Sequence, residues 1–305
     1  MTFGQLEIFV TLAQLQGFTL TAQKLGMTQS AVSHAIKALE REFACELVVR
    51  HHTPLELTPV GKQLVMRARE IVGLREIMQQ EAQSFAGLQK GSVKIASFGP
   101  SSTLHILPLI LDAFRARYPG IAIHIEEGPD CDVVNWIEQR RVELGFIVLP
   151  NPHFETHFLV QDQFLALIPQ GHHLVQQPCV TLQEICAEPL IMTETGNEGG
   201  IEKLFSDAGL RPSIVSRTSQ VLSTLALVAR AEGVAIVAEL ALPRDRGLQG
   251  ICVRPLNPQK RRAVGLALNS ARQVTPATKA FLQIAQSLER EGAFAHLSQS
   301  AVAPE

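Results

Sequence analysis

The chain opens on apolar residues at helical spacing. Over residues 4–16, Leu6, Phe9, Val10 and Ala13 share one face, which predicts an amphipathic helix. A second short helix is expected to start at Thr19, whose hydroxyl suits an N-cap. It should end near Leu25, with Gly26 as the left-handed residue that reverses the chain. Thr28 is a further N-cap, opening a helix from Gln29 to about Phe43. Val32, Ala35, Ile36, Leu39 and Phe43 make its apolar face; Ser30, Ser33, His34 and Lys37 lie opposite, and Gln29 projects from its start. Two helices joined by a tight turn are able to set the second in a DNA major groove, where short donors and acceptors approach base edges closely. The same pattern equally describes an amphipathic helix with a solvated polar face.

Beyond Arg50, His51 and His52, the alternation at Leu55 and Leu57 predicts a small hairpin or wing. Thr58 and Pro59 then open a long helix running from 60 to about 88. Its seam of Leu64, Ala68, Ile71, Met78, Ala82 and Phe85, broken at Arg75, fits the buried face of a globular helix or a dimerising coiled coil. The position of this helix between two units favours the coiled coil. From Ser92 the period changes. Residues 92–98, 121–128 and 143–149 read as strands, with helices over 103–120 and 132–142 between them. A second set of strands follows at 164–169, 189–193, 213–218, 234–238 and 262–268. Its helices are expected at 200–208, 221–231 and 276–290. Such βαβ alternation implies parallel strands with right-handed crossovers, here in two lobes joined by crossings near 149–163 and 266–270. The expected fold class is α/β overall: a winged helix-turn-helix over 1–58, a linker helix over 59–88 and a bilobed α/β domain over 92–305. Lobe one would take 92–161 plus about 267–292, and lobe two 162–266.

The N-terminal helix, the FTLTAQKLGMTQSAVSHAIKALE segment, the Leu47-Val48-Val49-Arg50 element and the run Leu57-Thr58-Pro59-Val60-Gly61 together resemble the LysR-type transcriptional regulators. The resemblance rests on motif at the N-terminus and on layout elsewhere. It implies linker helices that pair two DNA-reading heads in a homodimer or tetramer, on promoter half-sites related by two-fold symmetry. It also implies a small-molecule effector in the bilobed domain, which is similar to periplasmic solute-binding proteins, and RNA polymerase as a further partner. On this reading Gln29, Ser30, Ser33 and His34 face bases, while Lys37, Arg50 and His52 serve the backbone side. The chain departs from the family in its wing, which is neutral apart from Arg50, His51 and His52. Charges up to Lys62 also balance: Lys24, Lys37, Arg41, Arg50 and Lys62 against Glu7, Glu40, Glu42, Glu46 and Glu56. Phosphate neutralisation must then come from local placement and from pairing of heads.

Composition narrows the classes further. The chain has 305 residues, 46% of them hydrophobic, and a formal net charge of −2. It is long enough for two or more units at about 100–200 residues each. No apolar run approaches the roughly 20 residues of a membrane span. The N-terminus has no basic signal-like region, so a cytoplasmic protein is expected. The cysteines Cys45, Cys131, Cys179, Cys186 and Cys252 contain no C-x-x-C and suggest no disulfide framework. His51-His52 and His172-His173 read as surface loop histidines, because adjacent side chains rarely share a metal; neither metal nor cofactor is expected.

A ligand in such a domain sits at the carboxyl ends of parallel strands. There Ser97, Phe98, Ser101, Ser102 and Thr103 lead into a helix, a candidate cradle for a carboxylate or phosphate, although plain capping needs only one hydroxyl. Across the cleft the candidates are Thr195 and Gln220. Phe146 ends a central strand and is read evenly as ligand wall or core. A small organic acid is the expected effector class. Glu194 and Glu198 would repel it if they faced the cleft. A thiol redox sensor on the same scaffold is the alternative. Cys179 and Cys186 are close in sequence, but the segment after 189–193, where redox-sensing members carry their pair, lacks cysteine. A solute receptor or an enzyme is disfavoured, since no nucleophile elbow, phosphate loop or metal constellation is present.

Overall fold

The protein was analysed as a computed structural model that describes residues 1–49, 54–84, 90–193, 198–243 and 248–297. Thr2 opens helix α1 (Phe3–Leu15) by a reciprocal cap: its hydroxyl accepts from the Gln5 N–H at 3.2 Å, and the Gln5 side chain accepts from the Thr2 N–H at 2.8 Å. Helix α2 (Phe18–Leu25) does not use the predicted cap at Thr19. Gly17 is extended, so the helix begins at Phe18 and Thr19 falls within its first turn. Gly26 ends it at φ 64°, as the sequence suggests. Helix α3 (Gln29–Phe43) is capped by Thr28, whose hydroxyl accepts from the Ala31 N–H at 3.2 Å. Strands β1 (Val48–Val49) and β2 (Glu56–Leu57) pair antiparallel as the wing.

Helix α4 (Pro59–Ser84) is stitched to that wing through Thr58. The Thr58 hydroxyl donates to the Glu46 carbonyl at 2.7 Å and accepts from the Gly61 N–H at 2.9 Å. Gly61 lies so near β1 that an added Cβ would stand 2.1 Å from the Leu47 carbonyl oxygen. The first half of the α4 seam is spent within its own chain. Val65 and Ala68 are buried against Leu6, Phe9, Leu12, Val32, Ile36, Leu39 and Leu47, with Leu64 and Ile71 packed at the margin. Farther along, Leu74 and Met78 are exposed. The globular-helix expectation therefore holds for the first half of the helix, and Phe85 lies outside the described residues.

The remaining elements are β3 (Gly91–Ser97), α5 (Pro100–Thr103), α6 (Ile106–Arg117), β4 (Ile121–Glu127), α7 (Asp130–Glu138), β5 (Leu144–Leu149) and β6 (Glu155–Pro169). They continue as α8 (Leu182–Cys186), β7 (Pro189–Thr193), α9 (Glu198–Asp207), β8 (Ser213–Thr218), α10 (Val221–Ala229), β9 (Val234–Ala238), β10 (Ile251–Pro255), β11 (Arg261–Leu268) and α11 (Pro276–Arg290). The single helix expected over 103–120 is broken before α6, because Pro108 has no N–H to give the Leu104 carbonyl. The strand order is β4-β3-β5-β11-β6-β9-β7-β8, with β10 also on β6. β3, β4 and β5 are mutually parallel, as are β7, β8 and β9. The parallel sheet expected from the βαβαβ run over 92–149 is thus present, while β6, β10 and β11 run antiparallel to their neighbours.

Two cores flank this crossing. Val93, Ile95, Ile110, Phe114, Phe146, Leu266 and Phe281 belong to the first, and Leu165, Leu167, Ile191, Phe205, Val228 and Val237 to the second. β11 enters the first half-sheet at Ala263, earlier than the return expected near 266, because it pairs with β5 from Leu149 down to Gly145. β6 serves both halves, pairing with β11 and then with β9 and β10.

At that crossing Arg262 and Asp162 form a buried ion pair. The Arg262 Nε and Nη2 atoms each lie 2.8 Å from Asp162 Oδ2. Asp162 Oδ1 accepts from the backbone N–H of Gln163 at 2.9 Å and of Leu240 at 3.1 Å. Arg262 also donates to Ser101 Oγ at 2.7 Å and lies between the rings of Phe98 and Phe164, 5.5 Å from each centroid. Replacing Asp162 by Ala removes the carboxylate from a buried guanidinium and is expected to cost about 3–5 kcal/mol. Asp162→Ala with Arg262→Met should recover much of that loss, measured by urea unfolding. Gly61→Ala pushes β1 away from α4 and should cost about 1–3 kcal/mol. It should appear as a lowered thermal transition of the N-terminal unit.

Candidate functional site

The outer face of α3 is the first candidate surface. Val32, Ile36 and Leu39 are fully buried beneath it, so the register of the helix is held by its core side. That register turns Gln29, Ser30, His34 and Lys37 to solvent and leaves Ser33 half-buried. The side chains of Gln29, His34 and Lys37 make no hydrogen bond or ion pair among the described residues, whereas Ser30 Oγ lies 3.1 Å from Thr28 Oγ1. Acidic groups nearby are partly engaged. The Met1 ammonium pairs with Glu42, Glu40 accepts from the Leu47 N–H at 3.0 Å, and Arg75 lies 3.5 Å from Glu7. Arg50 and His52 lie outside the described residues. The exposed edge thus combines the amide, hydroxyl, imidazole and ammonium groups of Gln29, Ser30, His34 and Lys37, with Glu40 and Glu46 beside the last two.

The second candidate is the set of loops at the carboxyl ends of β3, β7 and β8, where the sequence places the effector cleft. After β3 the hydroxyl residues largely satisfy one another. Ser97 Oγ and Ser102 Oγ are 2.6 Å apart and buried, the Gly99 N–H donates to Ser97 Oγ at 3.3 Å, and Thr103 Oγ1 donates to the Gly99 carbonyl at 3.0 Å. Ser101 is bound to Arg262, and Phe98 is buried over that guanidinium. Thr103 is half-buried, and Gln220 stands exposed at the start of α10 without a side-chain cap bond. Phe146 is wholly enclosed in the first core, facing Leu266 across the β5–β11 pair. Thr195 and Glu194 lie outside the described residues, as does the side chain of Glu198.

The structure adds groups that sequence reasoning missed. Thr193, Thr218 and Thr224 form a buried hydroxyl chain at the ends of β7 and β8, with oxygen separations of 2.5 and 2.6 Å. Gln163 Nε2 donates to Glu239 at 2.8 Å, and His105 Nε2 lies 2.9 Å from the Leu242 carbonyl, tying α5 to the turn after β9. The only local sign of this junction was charge at the margin of apolar strands: Asp162 before Phe164-Leu165, and Arg262 before Ala263-Val264. His172 and His173 also differ from the surface-loop expectation. Their rings lie 4.4 Å apart, and both Nε2 atoms approach Glu188, at 3.2 and 3.4 Å. The Leu174 N–H donates to His172 Nδ1 at 3.3 Å, and one ligand atom from each of His172, His173 and Glu188 lies within 4.8 Å of the others, a spacing that could hold a metal ion. All five cysteines are free thiols.

Comparison with known proteins matches residues 3–62 to the bacterial regulatory helix-turn-helix protein model of the lysR family, and residues 86–289 to the LysR substrate binding domain. The HTH-type transcriptional regulator YvbU of Bacillus subtilis is 30% identical over 289 residues, covering 94% of this chain and 99% of the relative. The activator CmpR of Synechocystis is 26% identical over 218 residues, covering 70% of this chain and 71% of the relative. Among solved structures, full-length OxyR from Pseudomonas aeruginosa superposes with a TM-score of 0.72 at 22% identity, covering 99% of this chain and all of that one. CbnR in complex with its target DNA gives a TM-score of 0.62 at 19% identity, covering 94% of this chain and 99% of that one. These two likenesses show the shared fold. With both family models matched in order and a relative aligned end to end, the chain belongs to the LysR family of transcriptional regulators, with a helix-turn-helix DNA-binding domain followed by an effector-binding domain.

Proposed function

We propose that α3 reads promoter half-sites while the cleft binds a small organic acid that changes how two heads are spaced. The observation that carries the DNA half is the polar edge of α3, exposed and unpaired at Gln29, His34 and Lys37 above a buried core face. Gln29, Ser30, Ser33 and His34 contact base edges in this reading, and Lys37, with Arg50 and His52 of the wing, contacts the backbone. The head is too nearly neutral to bind tightly alone. Its affinity depends on pairing through the linker helix over 59–88, where the exposed Leu74 and Met78 support a homodimer, or a tetramer of two dimers, on two-fold half-sites. The protein works in the cytoplasm beside promoter DNA, with RNA polymerase as a further partner, and performs no catalysis of its own.

In the cleft, Thr103, Thr195 and Gln220 meet the effector. Ser97, Ser101, Ser102 and Phe98 shape the loop that presents it, and Phe146 backs that loop from the core. The effector acts by preferring one arrangement of the lobes over another.

Titration of specific and random duplexes, followed by fluorescence anisotropy, tests the DNA face. His34→Ala should cost about 1–3 kcal/mol on the specific site and little on random DNA. Lys37→Ala should weaken both and lower the salt slope by about 1. Equal losses on both duplexes for His34→Ala would place another face in the groove. For the cleft, a thermal-shift screen of small organic acids should find one that stabilises the full chain. Thr103→Val should weaken that acid about tenfold, by loss of the hydrogen bond that the Thr103 hydroxyl makes to the charged group on turning away from the Gly99 carbonyl. An acid that binds the variant unchanged would exclude Thr103 from the site.

A further inference from the structure

A second polar cavity, of about 180 Å³, lies where the DNA-binding unit, the long helix and lobe one meet. Val10 and Gln14 of α1 and Arg69, Gly73 and Glu76 of α4 form one wall. Lys94 of β3, Arg140 to Glu143 before β5, and Asn269, Ser270 and Gln273 to Thr275 after β11 form the other. This is the amino end of β5 and the carboxyl end of its antiparallel neighbour β11, the opposite edge of lobe one from the cleft at Ser97.

Its charges do not cancel. Arg69, Lys94, Arg140 and Arg141 line it against Glu70, Glu76 and Glu143. Three of the cations have carboxylate partners: Lys94 with Glu76 at 3.8 Å, Arg140 with Glu70 at 3.7 Å and Arg141 with Glu126 at 2.7 Å. Glu70 is further shared with Arg67. Arg69 is half-buried and has no carboxylate partner among the described residues. It donates only to neutral acceptors, the Gln139 carbonyl at 3.2 Å and Gln139 Oε1 at 3.0 Å, besides a 3.9 Å contact to the Met66 sulfur. Loss of hydration and the nearby Arg141 charge both lower its affinity for its proton. Glu143 compensates little. Burial raises its pKa against the hydrogen bonds from Thr275 and Thr278, and those bonds commit its oxygens to the start of α11.

We propose that this cavity binds a small oxyanion, a phosphate or a compact polycarboxylate, held by Arg69 from the long helix and by Lys94 and Arg141 from lobe one. Such an anion would replace the Arg69–Arg141 repulsion with two charge-assisted contacts. It would thereby favour docking of α4 on lobe one and link the small-molecule pool to the placement of the DNA head, independently of the cleft.

Calorimetric titration of the full chain with inorganic phosphate, and separately with citrate, at constant ionic strength set by sodium chloride, tests this. At least one probe should bind at one site per chain and raise the thermal transition. Arg69→Gln should weaken that binding about tenfold, the loss of one hydrogen bond to a charged group. Arg69→Lys should retain part of it, and the surface change Lys94→Gln should weaken it severalfold without lowering the unliganded transition. If neither probe binds, or if a bound probe is insensitive to both Arg69→Gln and Lys94→Gln, the proposal fails. The preference between phosphate and citrate then identifies which source of the anion the site suits.

Discussion

The two lobes share one crossing, and the buried Arg262–Asp162 pair is the interaction on which that crossing depends. β6 runs through both half-sheets, and β11 returns beside it, so the strands carry the backbone pairing across the junction. Side chains then fix the angle. Asp162 accepts from Arg262 and from two backbone N–H groups, one of them on the turn after β9 in lobe two. Arg262 reaches back to Ser101 of lobe one and fills the gap between Phe98 and Phe164. A buried ion pair of this kind adds little net stability over a well-packed apolar pair, but it tolerates few geometries. It therefore holds the relative position of the lobes to a narrow set of geometries.

The N-terminal unit solves a different problem with a small core. Leu12, Val32, Ile36 and Leu39 are fully buried, and the first half of α4 completes the cluster with Val65 and Ala68. The long helix is therefore part of the head before it becomes a linker. Thr58 and the close approach at Gly61 tie the wing to the same helix. Helices α3 and α4 thus share one core. A head with balanced charge gains little from long-range attraction to DNA.

The cleft shows why hydroxyl counts mislead. Ser97, Ser101, Ser102 and Thr103 look like a set of free donors before a helix, yet three of them close the loop upon itself and the fourth binds Arg262. Buried hydroxyls must find partners, and the nearest ones are usually within the same turn. The Thr193–Thr224–Thr218 chain across the cleft is the same solution built from three separate elements.

What the sequence determined by itself was periodic and local. The apolar face of α3, the cap at Thr28, the turn at Gly26, the α/β alternation and the last helix over Pro276–Arg290 follow from side-chain spacing and backbone preference, and the structure reproduces them. Local rules failed where a distant partner decided the outcome. β10, ending in Pro255, exists through its ladder to β6, and the antiparallel direction of β11 is set by β5 and β6 on its two sides. Asp162 and Arg262 are 100 residues apart, and Arg69 meets Gln139 across 70. Spacing along the chain reports which face a residue occupies but not what is folded against that face. Tertiary structure alone therefore decided which charges are paired, which hydroxyls are spent, and which cavity-lining cation has no carboxylate partner among the described residues.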